Sequence, residues 1–179
     1  MAEKVSFSGE NLSLQDTADF HGDTQAALKQ YYSVVSPTFQ VRFFGQRPEA
    51  VEAELELRLA ELNRNSTLTV LALLEARFRI DYEIRRRRKM KDVVSVEFRA
   101  LYARKGSRVS LESDILSVWR TNQTGQAALI GRLQDAFKFR HWMAHGRYWT
   151  PKFGKRIDYL AAVALAQSIL TSFPLLSAE

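Results

Sequence analysis

The chain has 179 residues, a formal charge of +6, 46% hydrophobic residues, four prolines and no cysteine. That length suits one domain whose core covers about two thirds of the unfolded surface, and the missing thiols exclude disulfides, thiolate zinc sites and a cysteine nucleophile. The positive charge is local: Arg85, Arg86, Arg87, Arg88, Lys89 and Lys91 supply six cations, and the twenty others balance the twenty carboxylates, so the surface is expected to carry a basic patch rather than a uniform basic coat. No basic-then-apolar leader opens the chain, and a cytoplasmic location is expected.

Residues 1–24 are polar, with five carboxylates against Lys4 and a net charge of −4. They read as a loose acidic arm, whose sign suits contact with the basic patch. A single helical domain is expected over 25–179. Ala26 to Val35 suits a short helix stopped by Ser36-Pro37, and the alternating aromatic run Thr38 to Phe44 suggests a brief extended segment. Pro48, with Glu49 and Glu52 behind it, starts a helix predicted to end near Leu62, and Asn65-Ser66 reads as a break and a new cap.

The next predicted helix, 67–89, places Leu71, Leu74, Phe78 and Tyr82 on one apolar face. Glu75 with Arg79, Asp81 with Arg85, and Glu83 with Arg87 support its outer turns at i,i+4. A helix from Val93 to Arg104 ends at Gly106, and a capped segment runs from Ser110 to Arg120. A helix from about Gln126 to His145 stops at Gly146, where a left-handed residue is usual. The uncharged run Tyr159 to Ala178 contains Gln167, Ser168 and Pro174 and reads as a buried helix over 157–172, not a membrane span. The class expected is an all-α bundle of about five to six helices.

Lys138 to Arg156 concentrates the chemistry. This stretch holds six Lys or Arg, five aromatics, no Asp or Glu, and two of the three histidines. Cations beside flat rings suit an RNA strand, because phosphates take the charge and unstacked bases take the rings. Leu129, Leu133, Ala136 and Phe137 define an apolar stripe, and Arg140 falls inside it. An arginine there needs a carboxylate, a phosphate or a polar cavity, since an unpaired buried charge costs several kcal/mol. At about 100° per residue, Arg140 and His145 point about 140° apart. They converge on one atom only if the helix ends between them or a second copy of the site supplies the partner. His141 and His145 have a spacing that metals use, but Trp142 stands where a zinc protease has its glutamate and no further ligand is near. No metal or cofactor is expected.

Arg140-His141-Trp142-Met143-Ala144-His145, followed by Gly146, resembles the Arg, polar residue, then His signature of the HEPN superfamily. The resemblance covers the helical region and leaves the first 45 residues unexplained. It implies a dimeric helical bundle that cleaves RNA without a metal, typically as a toxin or antiviral defence component with an antitoxin or other regulatory partner. Some members only bind RNA or proteins. In the clade neutralised by a nucleotidyltransferase antitoxin a tyrosine stands two places after the histidine, whereas Tyr148 stands three places after His145.

In such a nuclease the 2′-hydroxyl is the nucleophile and an imidazole, which titrates near neutrality, removes its proton. His145 is assigned that role, and Arg140 that of holding the phosphate and the charge of its transition state. His141 either protonates the leaving oxygen or serves as a hydrogen-bond partner. Glu75, between Leu71 and Phe78 on its helix, either orients Arg140 or simply pairs with Arg79. Arg147, Lys152, Lys155 and Arg156 are expected to track the RNA backbone, Tyr148 or Trp149 to stack a base, and Arg85, Arg86, Arg87 and Arg88 to extend the path.

Overall fold

The computed structural model describes residues 7–151 and 157–177. Among these residues the chain forms seven α-helices and no strand: α1 (Leu14–Tyr31), α2 (Phe39–Arg42), α3 (Pro48–Arg88), α4 (Val93–Lys105), α5 (Leu116–Asn122), α6 (Ala127–Ala144) and α7 (Tyr159–Ser172). The all-α class is as expected. No helix is long and apolar enough to cross a membrane among the described residues, and α7 instead buries Ala162, Leu165, Ala166 and Ile169 in the core.

α1, α4, α6 and α7 pack on α3, which runs 41 residues, about 60 Å. The break expected at Asn65-Ser66 does not occur. Ser66 is buried, and its hydroxyl lies 2.9 Å from Nδ1 of His21 on α1. A side chain suited to capping a helix is thus satisfied across an interface, and the backbone runs on through it. Thr67 donates its own hydroxyl back to the Asn63 carbonyl at 2.7 Å, so the polar pair belongs to a continuous helix.

Two further expectations are corrected. Residues 14–24 are not a loose arm: Ser13 and Asp16 form a reciprocal cap that starts α1, and Thr17 and His21 are buried against the bundle. The aromatic run near residue 40 is not extended but forms α2, whose Phe39 packs with Tyr32, Phe43, Val51 and Leu55 in a small separate cluster. Tyr32 donates to Glu54 at 2.8 Å beside it. The N-terminal segment does reach the basic cluster, through the ring of Phe7 lying 5.5 Å from the Arg87 guanidinium.

The main core surrounds the other half of α3. Leu71, Leu74 and Phe78 are fully buried there, joined by Phe98 of α4, Trp119 of α5, Ile130 and Leu133 of α6, and α7. Short polar residues fix the helix ends. Asp92 and Asp158 accept from the third backbone N–H of α4 and α7, and Gly106 ends α4 at φ +58°.

Candidate functional site

The end of α6 follows from local chemistry. His145 leaves helical geometry, Gly146 takes φ +78°, and the Gly146 and Arg147 N–H groups donate to the carbonyls of Met143 and Trp142 at 3.2 and 3.1 Å. These two bonds satisfy the last carbonyls of the helix with a left-handed glycine. Trp142 then draws the following loop back, donating its indole N–H to the Trp149 carbonyl at 2.9 Å.

α6 runs antiparallel to α3, as two ion pairs show. Arg140 Nη2 lies 2.5 Å from Glu75 Oε2, and Arg147 Nη1 lies 2.7 Å from Glu61 Oε2. The polar partner that Arg140 needed is therefore Glu75, which also pairs with Arg79, whose Nε lies 2.9 Å from its other oxygen. Oε2 is buried, and the Arg140 contact is one of close charges rather than an aligned hydrogen bond. Two guanidiniums share one carboxylate, so the group retains net positive charge, and 35% of the Arg140 side chain remains exposed.

His141 and His145, one turn apart, sit on the exposed side of the helix end with ring centroids 4.3 Å apart and planes tilted by 57°. Neither imidazole is held by a hydrogen bond or carboxylate among the described residues. Trp149 stands 6.0 Å from His141, with Tyr148 packed edge-on against it and 84% exposed. Within one chain the structure joins Arg140 to Glu75 and His141 to His145. No side-chain hydrogen bond joins Arg140 to either imidazole among the described residues.

Of the residues expected to follow an RNA backbone, Arg147 is half-exposed but tied to Glu61, whose carboxyl is held below its usual range chiefly by that guanidinium and then by Arg64. Lys152, Lys155 and Arg156 lie outside the described residues. Arg85 is corrected outright: it is buried, donates to Asp81, Asp92, Ser95 and the Pro174 carbonyl, and lies over the Trp119 ring. Arg86 and Arg87 pair with Glu83, and Arg86 also covers Tyr102. Arg88 is exposed. This cluster lies about 15 Å farther along α3 than Glu75 and about 36 Å from Glu61, by helical rise.

The sequence reading missed Arg79 as a member of the Arg140 group, Glu61 as the anchor of the post-helix loop, and a cleft beside Trp142. Spacing within α3 makes Arg79 visible only as a partner of Glu75, and nothing local relates Glu61 to Arg147, 86 positions away. The chain matches no family model, no curated protein and no solved structure in comparisons with known proteins.

Proposed function

We propose that the protein is a metal-independent endoribonuclease acting at the C-terminal end of α6. The observation that supports this most is the exposed pair of imidazoles, His141 and His145, with ring centroids 4.3 Å apart at the end of the helix that also carries Arg140, whose carboxylate partner Glu75 is shared with Arg79. His145 takes the proton from the 2′-hydroxyl, the 2′-oxygen attacks the phosphorus, and the bond to the 5′-oxygen breaks. His141 supplies the proton to that leaving oxygen, giving a 2′,3′-cyclic phosphate and a free 5′-hydroxyl. Arg140 holds the phosphate and the extra charge of the five-coordinate transition state, with Glu75 fixing the direction of its guanidinium. Tyr148 offers an exposed ring to a base. The biological setting proposed is a toxin or phage-defence component with a regulatory partner.

A second reading is a module that binds RNA or a partner protein without cutting it. It is favoured by the 2.5 Å Arg140–Glu75 pair, which engages the arginine internally. Labelled single-stranded RNA incubated with the protein in EDTA separates the two. Cleavage is expected, reduced at least about 100-fold in His145→Ala and in Arg140→Ala. RNA bound but left whole, with His145→Ala binding unchanged, rejects the nuclease in favour of the module.

A further inference from the structure

A cleft of about 270 Å³ opens between α3, α6 and the start of α7, near the lower limit of about 300 Å³ usual for small-ligand pockets. Phe139 and Trp142 of α6 and Ile157 form flat and apolar walls, while Asn63, Arg64 and Asp158 bring polar groups. The rings of Phe139 and Trp142 are 5.8 Å apart and tilted by 51°. The Asn63 amide is half-buried and makes no side-chain hydrogen bond among the described residues. One Asp158 oxygen caps α7 at the Ala161 N–H, 2.8 Å away, and the other has no partner among them.

The cleft is wired to the helix end at two points. Trp142, one of its walls, holds the Trp149 carbonyl, and the Trp149 ring faces His141. Arg64, at its rim, shares Glu61 with Arg147. Trp142 directly follows His141 in the chain, so the cleft adjoins the helix end that carries the imidazoles. Aromatic faces accept any base, but a donor–acceptor amide together with a free carboxylate oxygen selects among edges.

We propose that the cleft seats one amino-bearing base of the RNA strand by its edge, the Asn63 amide pairing with an adjacent donor and acceptor and Asp158 accepting from the exocyclic amino group. Uracil, which has no amino group, leaves Asp158 unpaired and is disfavoured. The proposal rests on the RNA reading of the α6 end, so binding and cleavage are measured apart. Binding is measured with 2′-O-methyl oligoadenylate and oligouridylate, which lack the nucleophile and cannot be cut by 2′-oxygen attack. The wild type is expected to prefer oligoadenylate by about 10-fold. Asn63→Ala, which favours the helix, and Asp158→Asn, which keeps the cap, are each expected to reduce that preference to within about threefold. Equal or absent binding of the two oligomers by the wild type, or a preference that survives both substitutions, overturns the base cleft. A preference lost in both variants, with ordinary RNA left uncut by the wild type, upholds the cleft and removes the nuclease. Cleavage by a wild type that binds both oligomers equally does the reverse.

Discussion

Asp81 and Arg85 bind each other four residues apart on α3, and both are buried. Burial pushes the Asp81 carboxyl above its ordinary range, while the Leu176 N–H, the Arg85 guanidinium and the Trp119 N–H act in the opposite sense. Arg85 in turn spans α3, the start of α4 and the carbonyl after α7, so removing it leaves the Asp81 charge buried without its cation. The cost of breaking such a pair is about 3–5 kcal/mol. For a domain of this size Arg85→Ala should therefore melt about 10 °C lower, at roughly 2–4 °C per kcal/mol. Its RNA affinity well below that temperature should match the wild type within about twofold, because a buried guanidinium touches no phosphate. Thermal denaturation paired with filter binding checks this, and an unchanged melt with weakened binding would return Arg85 to the RNA path. Arg88, exposed two turns from Asp81, is the contrasting case, with an expected stability change within about 0.5 kcal/mol on substitution by alanine.

α1 is held to α3 and α7 by a buried imidazole. His21 bonds to the Ser66 hydroxyl and stacks on Tyr159 at 3.8 Å and 19°, and burial holds its pKa below the ordinary value. The unfolded chain therefore takes up a proton before the folded chain does. The stability from this site is complete above about pH 6.5 and is lost as the pH falls from there through the depressed folded value. Urea denaturation at pH 7.5 and pH 5.5 should show a larger acid loss in the wild type than in His21→Phe, which keeps a ring against Tyr159; equal losses would remove His21 as the cause. The same contact marks where sequence stopped being informative. Helix ends set by adjacent residues were legible: Pro48, Gly106 and Gly146 all fall where their own chemistry placed them. Ser66 was misread because its partner is 45 positions away, and local propensity cannot distinguish a cap from a hydroxyl claimed by another helix. Phe39 and Phe43 alternate like a strand, yet they pack on Tyr32 and Val51 from helical turns. At the site, the apolar stripe on α6 revealed that Arg140 needed a partner, and Glu75 was already in view; Glu61 and the cleft at Trp142 exist only once α3 and α6 are antiparallel.

That antiparallel pairing sets a limit on any single copy. α6 turns Arg140 inward to Glu75 on α3 while His141 and His145 stay on its outer side, so a phosphate gripped by both kinds of group requires either a large swing of Arg140 or an imidazole from elsewhere. The nuclease proposal takes the second route, with a homodimer in which each site combines Arg140 of one protomer with His145 of its partner, an isologous arrangement. This makes an unusual prediction about two inactive proteins. Arg140→Ala and His145→Ala are each dead as homodimers because every site lacks one group. In a mixed dimer one site lacks both groups and the other has both. Equal amounts, exchanged through mild denaturant and refolded, should give half mixed dimers with one working site in two, about a quarter of wild-type cleavage. Sedimentation of the wild type should show a dimer at the concentrations assayed. Should the mixture stay as inactive as its components while sedimentation confirms that dimers have exchanged, the composite site is wrong, and Arg140 must reach the imidazoles of its own chain by leaving Glu75.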